Sequence, residues 1–298
     1  MPYLLFSLLC LIWGSSFILM KKASLVFSPL EVGAGRVLGG AAVLAVIWFA
    51  KRLPWTLERK DLAAMTFVVL AGLAWPYTVQ PWLIERHGSG FIGTTVSFVP
   101  LLTIVCSIPL LGVYPSRREL VGVLGGLACM GLLTKDGVDR QIPAVDLLLA
   151  LSVPLCYALA NVCIRRQLRH VASLPLSAVM LSSAALVLLP AAAALDSPAT
   201  AARERLPLAL ASLAILGVLG TGVGTLIFNK MVLDQGPLFA GMVTYLVPVG
   251  ALVWGWLDEE RVTLLQFAAL AGIFAMVALV QWRSKGWKAE SPLPSGEG

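Results

Sequence analysis

Glu85–Pro100 reads ERHGSGFIGTTVSFVP, and Leu233–Pro248 reads LDQGPLFAGMVTYLVP. Laid over one another at an offset of 148 positions, they share Gly88/Gly236, Phe91/Phe239, Gly93/Gly241, Val99/Val247 and Pro100/Pro248. Five identities in sixteen exceed the roughly one that background composition supplies, and a fixed offset is the mark of an internal repeat. Each copy opens on a turn glycine and runs into an apolar helix with proline in its interior. In water such a proline ends the helix. In lipid, neighbouring helices satisfy the freed carbonyl, so a bent helix persists where it lines a cavity. The pair predicts a duplicated membrane protein, with Pro100 and Pro248 as hinges of two helices beside one shared chamber.

Composition agrees. Of 298 residues, 58% are hydrophobic and 13% charged, and the mean hydropathy is +0.87. A soluble domain carries about 25% charged residues, and no single aqueous core hides this much apolar surface. Cys10, Cys106, Cys129, Cys156 and Cys163 all fall in apolar runs without metal-ligand spacing and read as small apolar residues. The net charge of +6 reflects basic loops rather than a nucleic-acid surface, because the basic residues are scattered over many connectors. The first apolar run has no basic segment before it and no small-residue cleavage site, so it reads as a retained span.

Crossing a bilayer takes about 20 apolar residues. Ten such spans are expected, at 2–20, 30–50, 62–84, 88–112, 118–134, 144–164, 174–195, 207–231, 238–257 and 263–282. The expected architecture is an all-α polytopic membrane protein with ten transmembrane helices in two inverted five-helix repeats, residues 1–137 and 138–285, followed by a disordered tail at 286–298. An odd number of spans per copy forces the second copy to enter the membrane upside down. That is a recurring architecture of secondary transporters, with the substrate site near the midplane. Lys and Arg outside the spans divide about 13 to about eight in favour of the side holding both termini, which predicts cytoplasmic termini.

No catalytic or metal-binding constellation and no phosphate-binding glycine loop is present, so neither an enzyme nor a cofactor is expected. His87 and His170 stand in connectors without ligand-spaced partners. Polar residues inside spans face protein or water, so they are the candidate cavity wall and substrate contacts. These are Trp13 and Ser16 in the first span, Arg36 in the second, and Trp75, Tyr77 and Gln80 in the third. Tyr157 and Asn161 follow in the sixth, Thr225 and Asn229 in the eighth, and Tyr245 in the ninth. For each, simple interhelical hydrogen bonding is the alternative. Arg36 has two readings: a functional charge, or a snorkelling side chain paired with Glu31. Gly35/Gly39, Gly122/Gly126 and Gly220/Gly224 present small residues on one helix face for close packing, and the stretch 220–225 is loose enough to unwind in part. Trp48, Trp55, Trp282 and Trp287 read as interface anchors. Because no Asp or Glu lies deep in a span, transport is expected to be facilitated, or coupled weakly through Glu31.

The chain resembles the drug/metabolite transporter superfamily, specifically the EamA-type transporters. The carriers are Trp13-Gly14-Ser15-Ser16-Phe17, Pro29 with Arg36, the two glycine-to-proline copies, and Glu260-Arg261-Val262-Thr263 with Gln266. In the first copy the acidic position of that last motif falls on Val113, before Tyr114-Pro115. The resemblance implies an inner-membrane carrier of small metabolites, often amino acids or similar amphipathic compounds, frequently moving them outward. Its partners would be a small-molecule substrate and the lipid bilayer, as a monomer or homodimer. The competing class is a non-transporting membrane scaffold, receptor or lipid-modifying enzyme.

Overall fold

The computed structural model describes residues 2–52, 54, 57–112, 117–195, 203–235, 240–241 and 243–281. Among them there are helices and no strands. Trp55, Trp282, Trp287, the tail at 286–298, residues 113–115, and Gly236 and Phe239 of the second copy lie outside the described residues.

Helix α1 is Pro2–Ala23 and α2 is Pro29–Lys51. The start of α2 is set locally. Ser28 caps the helix, Pro29 supplies its first φ, and the Glu31 carboxylate accepts from the Ser28 N–H at 2.8 Å to complete a capping box. The third span is α3 (Leu62–Val69), a π-helical turn at Leu70–Ala74, and α4 (Trp75–His87). Pro76 cannot donate to the carbonyl four residues before it, and the Trp75 N–H reaches back five residues to Leu70 O. After the left-handed Gly88 (φ 87°) come α5 (Ser89–Thr95), a 3₁₀ turn at Val96–Phe98 and α6 (Val99–Leu111). Pro100 therefore opens a new helical segment instead of bending one from inside, whereas Pro248 does lie inside its helix.

The rest comprises α7 (Arg117–Asp139), α8 (Ala144–Gln167), α9 (Ser173–Leu195) and α10 (Leu206–Ile215). A π-helical stretch, Leu216–Val223, leads into α11 (Gly224–Gln235), and α12 (Val243–Leu257) and α13 (Leu264–Gln281) follow. Of the stretch expected to loosen, residues 220–223 are thus π-helical and 224–225 are α-helical, and the π-helical part lies at the repeat offset from Leu70–Ala74.

Seven helices among the described residues are long and apolar enough to cross a membrane, and Val243–Leu257 and Leu264–Met276 are shorter apolar helices. Helix α7 runs past its expected end at 134 and carries Asp136 and Asp139. Leu11, Phe49, Leu186 and Leu264 point outward without polar cover, as a lipid-facing surface does.

Helix neighbours come in corresponding pairs. The first span packs on the ninth, and the fourth on the sixth; the second packs on the seventh, and the fifth on the tenth. The second span approaches the π-helical stretch of the eighth closely enough that a Cβ on Gly39 would lie 3.2 Å from Gly217 Cα.

Candidate functional site

A cavity of about 100 Å³ is lined by residues from both halves of the chain. Its apolar wall includes Phe17, Met20, Val96, Val99, Phe228 and Val247. Trp13, Ser16, Arg36, Tyr77, Gln80, Tyr157, Asn161, Thr225 and Asn229 face the same space. Besides the spans that carry these candidates, the fourth contributes Val96 and Val99 and the seventh contributes Met180.

Two expected wall residues lie elsewhere. Trp75 is 43% exposed on the outer surface, and its indole N–H donates to Ser152 Oγ at 2.9 Å. Tyr245 is buried but does not line the cavity. The helical period explains Trp75: two residues from Tyr77 means about 200° around the axis, so both cannot face inward.

The π-helical stretch positions several of these side chains. Trp13 Nε1 donates to Gly220 O at 3.0 Å, and its ring lies 4.9 Å from that of Phe228. Arg36 Nε donates to Thr221 Oγ1 at 2.9 Å, and Nη1 lies 3.3 Å from Met20 Sδ. The guanidinium carbon sits 3.8 Å above the Tyr77 ring. Arg36 is 4% exposed. It neither snorkels nor pairs with Glu31, whose carboxylate is committed to the α2 cap. Burying an arginine at membrane depth costs about 2.5–3.5 kcal/mol on insertion scales. An aromatic face returns about 2 kcal/mol when desolvated, and the bond to Thr221 offsets the remainder. Tyr157 OH donates to Gln80 Oε1 at 3.2 Å, and Asn229 Nδ2 to Ser177 Oγ at 2.9 Å. Asn161 Nδ2 is buried without a partner.

Beyond Met20, the next residues of α1 enter an ionic network. Lys21 Nζ lies 2.6 Å from Asp258 Oδ2 and 2.7 Å from Glu260 Oε1, and Lys22 pairs with Asp258. Glu260 Oε1 also accepts from the Ser89 N–H at 2.9 Å and the Ser89 hydroxyl at 2.8 Å, while Oε2 accepts from the Gly90 N–H at 2.7 Å. A Cβ on Gly255 would stand 2.9 Å from Oε2, so the carboxylate fits because glycine is there. Burial raises the Glu260 carboxyl, but the bonds from Lys21, Gly90 and Ser89 outweigh it and hold the group below the usual range. Asp258 is likewise pushed up by burial and brought lower overall by Lys21 and Lys22.

Other polar partners gave no signal in sequence spacing. His87 Nε2 meets Asp146 Oδ2 at 2.7 Å, and His170 Nε2 meets Asp61 Oδ2 at 3.0 Å. These pairs tie the third span to α8 at one end and to the α8–α9 connector at the other. Asp136, only 1% exposed, accepts from Thr263 Oγ1 at 2.5 Å and from Arg140 Nε at 2.8 Å. Among the described residues no His, Cys, Asp and Glu cluster could hold a metal ion.

A polytopic helical membrane protein with a mostly apolar chamber lined by both halves of its chain is the build of a small-molecule carrier. The description of the EamA-like transporter family matches the chain over residues 1–134 and again over 145–282, and the chain belongs to that family. It is a membrane transporter. Two Bacillus subtilis (strain 168) proteins are similar to it. The uncharacterized transporter YvbV is 26% identical over 292 residues, covering 96% of this chain and 93% of that one. The uncharacterized transporter YoaV is 26% identical over 260 residues, covering 85% and 87%. A crystal structure of a protein superposes with a TM-score of 0.69 at 16% identity, covering 94% of this chain and 96% of that one, a likeness of fold.

Proposed function

We propose that the chain is a secondary transporter that moves a small amphipathic metabolite, an amino acid or similar compound, outward across the cytoplasmic membrane. It would do so by alternating access between two inverted five-helix repeats, with both termini cytoplasmic. The observation that carries this reading is the make-up of the cavity wall. Twelve of its residues fall into six pairs at the repeat offset of 148: Trp13/Asn161, Ser16/Ile164, Tyr77/Thr225, Gln80/Phe228, Val96/Thr244 and Val99/Val247. A site built from corresponding positions of two copies lies on the axis relating them. With five spans per copy that axis lies in the membrane plane, so rocking one repeat against the other exposes the site to each face in turn. A map in which the halves superpose only about an axis along the membrane normal would remove the basis for the exchange.

Two measurements test the proposal. Purified protein in proteoliposomes should take up at least one compound from a panel of amino acids and small metabolites, above protein-free vesicles. Cysteine placed at Gln80 or Asn161, with the five native cysteines replaced, should react with a water-soluble thiol reagent. Protection of both positions under every condition contradicts an aqueous route to the cavity.

The wall contains no carboxylate among the described residues, which favours facilitated movement down the substrate gradient. Because the Glu31 carboxylate serves the α2 cap, Glu31→Gln is expected to leave flux unchanged. Accumulation driven by an imposed pH gradient and abolished by that substitution would make Glu31 the coupling group instead.

A further inference from the structure

The cavity carries one formal charge, and it is positive. Its described wall contains Arg36 and neither aspartate nor glutamate. A guanidinium offers five N–H donors in a planar fork that matches a carboxylate two bonds at a time. Here Nε is given to Thr221, Nη1 reaches only the weak acceptor Sδ of Met20, and Tyr77 covers one face. An independent second donor faces the same space. Asn161 Nδ2 is buried and bonded to nothing, one turn beyond Tyr157 on α8, whose hydroxyl is already spent on Gln80. Buried donors without acceptors are costly, and native structures satisfy them. The acceptors missing from this wall are what an occupant would bring. At about 10–15 Å³ per water-sized position, a cavity of about 100 Å³ takes about seven to ten non-hydrogen atoms.

We propose that the cavity binds a small net anion. It is a carboxylate or equivalent oxyanion on an apolar body, with Arg36 on the anionic head and Asn161 as a second donor. This rests on the reading of the cavity as the substrate site and narrows it. A zwitterion would find aromatic faces and amide oxygens for its ammonium but no carboxylate, so net anions bind ahead of amino acids and of cations.

The test is a charge series of nearly constant shape: benzoate, benzamide and benzylammonium, titrated against the purified full chain with intrinsic tryptophan fluorescence and thermal shift as readouts. Benzoate should bind on the order of tenfold or more tighter than benzamide, the scale of a charge-assisted hydrogen bond, and benzylammonium weakest. Arg36→Gln should remove the preference for benzoate over benzamide. The wild-type series alone decides the matter if the variant does not fold. Equal or tighter binding of benzamide or benzylammonium overturns the proposal, as does a benzoate preference that survives Arg36→Gln. The transport reading fails separately. Benzoate bound with the stated preference, but no compound moved in proteoliposomes, removes transport and leaves the anion site. Uptake of panel compounds without charge preference does the reverse.

Discussion

Glu260→Gln is expected to open the cavity at the Lys21 end. The substitution removes a carboxylate that joins the end of α1, the start of α5 and the α12–α13 connector through Lys21, Ser89 and Gly90. Glutamine places an amide N–H₂ among backbone N–H donors and leaves Lys21 with Asp258 alone. The Glu260 side chain is 10% exposed, so the loss resembles breaking a buried pair, on the order of 3 kcal/mol. That corresponds to about a hundredfold shift from closed towards open. The measurement is the rate at which a membrane-impermeant thiol reagent modifies Ser16→Cys on a cysteine-free background. It should rise by up to that factor from the Lys21 side when Glu260→Gln is added. An unchanged rate would mean that apolar packing, and not this network, closes the end.

The same network has a defined pH response. The folded Glu260 carboxyl lies below its ordinary value of 4.5. Its contribution to the closed form is therefore complete above about pH 4.5 and is lost only as pH falls through the lower folded value. Acidifying from pH 7.5 to 5.5 should leave Ser16→Cys labelling of the otherwise wild-type protein unchanged.

Gly40→Leu is expected to be among the most damaging single changes in the bundle. A Cβ on Gly40 would lie 2.9 Å from Gly222 N, 2.9 Å from Leu181 Cδ1 and 3.2 Å from Gly217 O. The second, seventh and eighth spans meet at this point, and two of the three obstacles are backbone atoms that cannot rotate away. Overpacking of this kind costs about 1–3 kcal/mol or more. The consequence reaches the cavity, because Arg36 lies one turn from Gly40 and Thr221 adjoins Gly222. Forcing α2 off the π-helical stretch separates that pair. Thermal unfolding in detergent should shift down by several degrees, with loss of any Arg36-dependent binding. Gly131→Leu is the control: nothing lies within 4 Å of a Cβ there, and stability should be kept or slightly raised by the better helix former. Equal effects at the two positions would show that bulk in any helix, not this junction, is responsible.

The class of protein and most of the polar residues that line the cavity are legible along the chain. Each rests on something local or periodic. Lipid requires long apolar helices with few charges, a fixed offset is visible without coordinates, and a polar residue in a span has nowhere to face but inward. Tyr77, Gln80 and Asn161 were legible for that last reason. Trp75 was misplaced because proximity in sequence outweighed the angle it occupies on the helix.

Packing between distant segments is what makes Arg36 meet a hydroxyl, a thioether and a ring instead of Glu31. It also decided that Glu260 caps residues about 170 positions away, and that both histidines are bonded to buried aspartates on other segments. The placement of Pro100 after a 3₁₀ turn, unlike Pro248, belongs here too. Spacing along the chain carries no record of which helices become neighbours, and a buried charge is defined by what surrounds it. The cavity's unanswered donors are a property of packing, and packing exists only once the helices have met.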